Sequence, residues 1–203
     1  MRLGVLKIWQ KKKYHNQFFM ANIHEHALLA DSLVHNGSGF IAKHYEDTVL
    51  ANDPQWIGFS LEIGPDGAVY MLDWHDGDIC GNKVHDKDTG RVFRLAPPET
   101  PYPTHFNLKD LNNQELVNLQ FHKNDWYVRR ARGILHERAS KGAVNEETHI
   151  QLRKHLENQS DPGRKLRALW ALHVTGGVTH EHLIDLLASE HEYIRAWAIQ
   201  LLC

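Results

Sequence analysis

The chain has 203 residues, of which 42% are hydrophobic, enough to build a core in one domain or in two small ones. Its formal net charge of −2 argues against a general phosphate-binding surface, so we expect no nucleic-acid partner. We find neither an apolar run of membrane-spanning length nor a signal peptide, since Lys7 interrupts the short apolar stretch near the N-terminus.

Residues 17–95 show the composition and the turn chemistry of short strands. The predicted strands are Gln17–Ile23, Ala27–Val34, Gly39–His44, Trp56–Ile63, Ala68–Asp73 and Gly90–Leu95. Turn residues separate them, as in Asn36-Gly37-Ser38-Gly39 and Asn52-Asp53-Pro54. We therefore expect an all-β region over residues 1–96, in the form of a sandwich, a barrel or a propeller.

A tight turn and a short apolar strand lead directly into a cluster of acids. In the turn, Pro65 presets the backbone φ angle, and Gly67 is expected to adopt a positive φ. Asp73, His75 and Asp76 follow where the strand ends, and we identify them as candidate catalytic residues. Carboxylates and an imidazole can bind a cation or abstract a proton. In the structural alternative, the two aspartates cap turns by accepting hydrogen bonds from backbone amides.

Two further sets of residues are candidate metal ligands. Asp78, Asp86 and Asp88 are candidate calcium ligands. Asp86 and Asp88 alternate with other residues ahead of Gly90, as acids do in a calcium-binding loop. The stretch lacks the distal Glu of an EF-hand, so a plain β-turn is the alternative. His24 and His26 alternate along a segment expected to be extended, where they would face one side and could line a channel with the histidine of the acidic cluster.

Four of the eight residues 96–103 are prolines, so residues 97–107 are predicted to form an extended linker. Beyond it, over residues 108–203, the apolar period becomes helical. The predicted helices are Asn113–Phe121, Asp125–Ala139, Glu146–Glu157, Gly163–Val174, His180–Ser189 and Glu192–Leu202. The predicted N-caps are Asn112, Asn145 and Thr179, and the predicted helix stops are Gly142 and Gly176.

An apolar residue followed by arginine recurs in the predicted helices, at Val128-Arg129, Leu166-Arg167 and Ile194-Arg195. The recurrence favours a HEAT-like helical solenoid, although its unequal spacing leaves an ordinary helical bundle as the alternative. Trp126, Trp170 and Trp197 lie on the same helices and are expected to pack between repeats. The arginines are expected to be structural, and a row of Arg129, Arg167 and Arg195 could also bind an acidic protein partner.

Both halves of the chain resemble one family, the large membrane-bound or sorbosone-type dehydrogenase-like β-propeller proteins of Planctomycetes and Verrucomicrobia. In the first half the resemblance lies in Phe18–His24, Gly37–Phe40, residues 64–76 and Gly90–Leu95, the last of which looks like the closing strand of the propeller. In the second half, Asn124–Arg132 resembles the HEAT-like repeats that follow the propeller in that family.

The resemblance implies a partial β-propeller followed by a HEAT-like α-solenoid over residues 108–203. It implies a periplasmic or cell-envelope parent protein that oxidises a sugar or an alcohol and passes electrons to a c-type cytochrome. Calcium or pyrroloquinoline quinone would then be the parent's cofactor, as in soluble quinoprotein sugar dehydrogenases, which are only distantly similar. The sequence has no Cys-x-x-Cys-His motif, so no covalent haem of that type is expected.

A closed propeller needs at least about four blades of roughly 40 to 50 residues, and the residues before Pro97 supply about two. We therefore expect a piece of a longer protein, whose partners are the missing blades and a cytochrome c domain and which is inactive by itself. One alternative is a small self-contained β domain docked on the helices. Another is a non-catalytic protein- or carbohydrate-binding module.

Overall fold

The computed structural model describes residues 4–5, 17–45, 47–77 and 88–203. It divides into two compact units, Met1–Pro103 and Thr104–Cys203. The described residues of the first unit form β-sheets and those of the second form helices, so the chain combines β and α structure. Over the described residues, no helix is both long enough and apolar enough to cross a membrane.

The described strands of the first unit form two antiparallel sheets. Their bounds are β1 Gly4–Val5, β2 Gln17–Asn22, β3 Ala27–Asn36, β4 Gly39–His44, β5 Val49–Leu50, β6 Gly58–Ile63, β7 Val69–Asp73 and β8 Arg91–Leu95. The first sheet has the order β1-β2-β3-β4, with β5 paired to β3, and the second has the order β6-β7-β8. The six predicted strands are confirmed as β2, β3, β4, β6, β7 and β8, whereas the two-residue strands β1 and β5 were not predicted.

The two sheets share one apolar core. Phe19 and Leu28 of the first sheet pack in the same buried cluster as Leu61 and Met71 of the second, together with Trp56 from the preceding loop. Successive side chains of a strand point to opposite faces, so alternate residues of β7 enter this core. The core therefore fixes the register of β7, and with it the face on which its last residue lies.

The turn before β7 has the predicted chemistry. Gly67 adopts a positive φ of 80°, and its amide donates to the carbonyl of Gly64 at 3.0 Å. Strand β6 is less regular, because its pairing with β7 shifts by one residue at Ser60, which has a φ of 53°. This β-bulge lies beside a cleft described below.

The second unit contains six described helices. Their bounds are α1 Asn113–Asn118, α2 Asp125–Ala139, α3 Glu146–Asn158, α4 Pro162–Val174, α5 His180–Leu186 and α6 Glu192–Leu202. Asn112, Asn145 and Thr179 accept hydrogen bonds from first-turn amides, which confirms all three predicted N-caps. Gly142 and Gly176 both adopt a positive φ just after a helix, as predicted for helix stops.

Helices adjacent in sequence pack on each other as α1 with α2, α3 with α4, and α5 with α6. In addition, α2 packs on α4 and α4 on α6. The buried leucines of these helices form one cluster around Leu135, Leu152 and Leu169. Trp170 and Trp197 pack against this cluster, with their ring centroids 4.9 Å apart.

Candidate functional site

The structure brings the three candidate catalytic residues to one end of β7. Asp73 is the last residue of the strand and faces the core side, while His75 and Asp76 lie in the following loop. Asp73 and Asp76 are buried, with 3% and 2% of their surface exposed. Residues 53–57 pack against the same end, because the amides of Trp74 and Asp76 donate to the carbonyls of Ile57 and Gln55.

The carboxylate of Asp73 is surrounded by hydrogen-bond donors. Its Oδ1 accepts from the backbone amides of Ile57 at 2.7 Å and His75 at 3.0 Å. Its Oδ2 accepts from Nε of Arg91 at 2.7 Å, and the whole side chain is inaccessible to solvent. These contacts match the turn-capping alternative, and they leave neither oxygen facing a substrate.

Arg91 joins Asp73 to a second carboxylate that the sequence pattern marked only as a turn residue. Nη2 of Arg91 lies 2.7 Å from Oδ2 of Asp53 and 2.6 Å from Oδ2 of Asp73. The hydrogen bond from Arg91, with another from the amide of Gln55, holds the pKa of Asp53 below its ordinary value. One arginine side chain thus contacts two carboxylates that lie 20 residues apart in the sequence.

His75 lies over this network in a left-handed backbone conformation with a φ of 52°. Its Nε2 is 3.4 Å from Oδ2 of Asp53, a carboxylate that can orient an imidazole. Its Nδ1 is buried and has no hydrogen-bond partner among the described residues. The arrangement is that of a histidine held by an acid, but its remaining nitrogen is closed to solvent.

The calcium prediction concerns residues that the structure describes only in part. Asp78 and Asp86 lie outside the described residues, and Asp88 is exposed. Among the residues that are described, no group of three or more His, Cys, Asp or Glu side chains could hold a metal ion. The calcium site therefore stays a prediction, and we derive no chemical step through calcium or a quinone.

The expected pairing of His24 with His26 on one side of an extended segment is wrong. Both residues lie in the turn between β2 and β3, and His26 has a φ of 51°. Alternation of side chains requires extended backbone, which the turn interrupts. Nδ1 of His26 instead lies 2.7 Å from the carbonyl oxygen of Trp56.

A second acid–arginine pair, which the sequence did not indicate, lies near the other end of β7. Oδ2 of Asp66 accepts from Nε of Arg94 at 2.8 Å and from the hydroxyl of Tyr70 at 3.1 Å. Burial would raise the pKa of Asp66, but hydrogen bonds from Arg94, the amide of Ala68 and Tyr70 outweigh it and lower the pKa. Arg94 also donates to the carbonyl of Thr100, so this pair anchors the chain leaving the sheet.

A cleft of about 400 Å³ opens between β2 and β6. Its walls are mainly apolar, with Phe19 and Leu61 among them, and Ser60 at the β-bulge supplies a hydroxyl. Concave, mostly apolar surfaces of this size suit binding. None of Asp73, His75 and Asp76 lines it.

In the helical unit, the three arginines of the predicted row are all engaged within the chain. Arg129 pairs with Asp125, and Arg167 pairs with the same carboxylate at 3.1 Å. Arg195 donates to the carbonyls of Ser189 and Glu190, six and five residues before it. Their primary contacts are thus structural.

Comparisons with protein-family models, with curated proteins and with solved structures each found no match to this chain.

Proposed function

We propose that this chain is a non-catalytic binding scaffold, in which a blade-like β unit and a HEAT-like helical unit present surfaces to a protein or carbohydrate partner. The proposal rests on one observation: both carboxylate oxygens of Asp73 accept hydrogen bonds, from Arg91 and from two backbone amides. A carboxylate held in this way stabilises its loop and is a poor general base, because a base must reach the proton that it abstracts. The apolar cleft beside Ser60 adds a surface suited to binding.

Strand order and helix packing support the two architectures within this proposal. The series β2-β3-β4 and β6-β7-β8 are antiparallel meanders, the strand arrangement of propeller blades. The packing of α2 on α4 and of α4 on α6 is the neighbour-to-neighbour contact of a helical repeat.

A second proposal is that the chain is part of a longer, periplasmic or cell-envelope dehydrogenase-like protein that oxidises a sugar or an alcohol. Its partners would be further propeller blades and a cytochrome c domain. The residue resemblance supports it, as does the 3.4 Å approach of His75 Nε2 to Asp53. An imidazole oriented by a carboxylate is a common general base, but here it would need a loop movement to expose its buried Nδ1.

Dye reduction tests the scaffold proposal, and calorimetry tests the dehydrogenase proposal, which expects a part of the longer protein to be inactive by itself but still to bind its cofactor. The full chain is supplied with Ca²⁺, pyrroloquinoline quinone, a panel of sugars and alcohols, and an electron-accepting dye. The scaffold proposal expects the same background dye reduction from the chain and from a His75→Gln variant. Dye reduction that disappears in the variant would overturn it in favour of the dehydrogenase proposal, whereas calorimetry showing no binding of Ca²⁺ or the quinone would count against the latter.

A further inference from the structure

Three arginines and two tryptophans lie together where α2, α4 and α6 pack side by side. Arg129 and Arg132 are on α2, Arg167 and Trp170 are on α4, and Trp197 is on α6. Residues three apart lie on the same side of a helix, so the two residues on α2 share one helix face, as do the two residues on α4. We call these five residues the arginine–tryptophan face.

A single carboxylate serves two of the three arginines. Nε of Arg129 lies 2.6 Å from Oδ2 of Asp125, and Nη2 of Arg167 lies 3.1 Å from Oδ1 of the same residue. Arg167 also donates through Nη1 to the carbonyl of His122 at 3.1 Å. Asp125 therefore has both of its oxygens occupied.

Arg132 has no such partner. Its guanidinium carbon lies 5.2 Å from the ring centroid of Trp170, and no carboxylate among the described residues pairs with it. Nη1 of Arg132 and Nε1 of Trp170 are both buried, and neither has a hydrogen-bond partner in the part of the chain that the structure describes. Burial lowers the pKa of Arg132; Asp125 opposes this shift, and the charges of Arg129 and Arg167 add to it.

An unpaired, partly buried cation is costly, since it has lost water without gaining a counterion. Three guanidinium groups face one carboxylate here, which leaves a local positive excess on a chain whose formal net charge is −2. A carboxylate from another molecule would supply the counterion that Arg132 lacks. The part of the guanidinium other than the buried Nη1 can donate to that carboxylate, and the neighbouring indole rings offer apolar surface to a side-chain stem.

We propose that the arginine–tryptophan face binds an acidic peptide segment of a partner protein, with a Glu or Asp carboxylate pairing with Arg132. This inference rests on the proposed scaffold function and assigns its partner class. Arg132, and not the engaged arginines of the predicted row, is the residue that determines recognition. Trp170 contributes its ring and, once the guanidinium shifts towards the ligand, its indole N–H.

The test measures binding of fluorescein-labelled hexaglutamate to the full chain by fluorescence anisotropy at about 0.15 M salt. We expect Arg132→Met to weaken binding by about tenfold or more, because it removes a charge-assisted hydrogen bond while keeping an apolar stem on Trp170. The matched control is Arg130→Met, which makes the same charge change on an exposed arginine two residues away. The control is expected to bind hexaglutamate within about twofold of the unmodified chain, since exposed charges are largely screened.

Thermal unfolding separates loss of binding from loss of folding. Arg132→Met should keep or raise the melting temperature, because it removes an unpaired and partly buried charge. No binding to the unmodified chain, or equal binding by Arg132→Met, would overturn the inference. It would also be overturned if free glutamate at equal carboxylate concentration competed as well as the peptide, or if oligothymidylate of equal charge bound as tightly. The scaffold proposal is tested by dye reduction and this inference by hexaglutamate binding. Failure of the one is therefore distinguishable from failure of the other.

Discussion

Arg91 lies opposite Asp73 in the antiparallel register of β7 and β8, and its guanidinium meets the carboxylate on the core side of the sheet. Arg91 therefore pairs with the last residue of β7 and, at the same time, with Asp53 in the loop before β6. The cluster that attracted functional interest in the sequence is, by these contacts, a structural junction between a strand end and the loop before β6.

The first prediction concerns the Asp73 carboxylate. Asp73→Asn should lower the free energy of unfolding by about 2 kcal/mol, because it removes the charge of a buried carboxylate that pairs with Arg91 and accepts from two backbone amides. Chemical denaturation followed by circular dichroism measures the change. Asp88→Asn, the same substitution at an exposed position, should change stability by no more than about 0.5 kcal/mol. Equal effects of the two substitutions would contradict the structural role.

The second prediction concerns the close packing of Trp56 on the backbone of β6. A Cβ atom at Gly58 would overlap the Trp56 ring, which is buried in the core. Gly58→Ala should therefore destabilise the β unit by about 2 kcal/mol through overpacking. Gly133→Ala is the matched control, because a Cβ there meets open space on an exposed part of α2. It should stabilise the chain by about 0.5–1 kcal/mol. If Gly58→Ala were as well tolerated as Gly133→Ala, the close packing of Trp56 on β6 would be contradicted.

The third prediction is a pH dependence from His155 on α3. Burial lowers the pKa of His155 from its ordinary value of 6.5, Lys154 adds to the shift, and the ring packs 4.3 Å from that of Phe121. The unfolded chain therefore binds a proton at a higher pH than the folded chain, and stability falls as the pH drops below about 6.5. His155→Phe keeps an aromatic ring but cannot titrate.

The measurement is the difference in unfolding free energy between the unmodified chain and His155→Phe. Relative to the variant, the unmodified chain should lose stability between about pH 7.5 and pH 5. If the unfolding free energies of the two proteins changed in parallel over this range of pH, the prediction would be wrong, because the folded chain would then not disfavour the charged imidazole of His155.

The helices could be predicted closely because their signals are local. Asn112, Asn145 and Thr179 each precede a helix and accept from its first turn, so sequence spacing alone locates three helix starts. Helix α4 begins one residue earlier than predicted, since Asp161 is its N-cap and Pro162 occupies the first position. A proline directly after an aspartate was the available signal.

The site could be predicted only in part, because its partners are distant in sequence. A local apolar run predicts that a strand ends at Asp73. Arg91, however, lies on β8, which follows β7 only after residues 74–90, and it reaches Asp73 through the pairing of these two strands. Sequence spacing does not determine pairing across a segment of that length. The sequence pattern indicates a turn at Asp53, whereas its contact with the same arginine depends on tertiary packing.

A double-mutant cycle on Asp73 and Arg91 tests the central claim most directly. The free energy of unfolding is measured for the unmodified chain, Asp73→Asn, Arg91→Met and the double variant. If the pair is a structural junction, the two substitutions should be coupled by more than about 1 kcal/mol, because the two side chains are in direct contact. Effects that add within about 0.3 kcal/mol would contradict it and would show that the Asp73 carboxylate does not depend on Arg91.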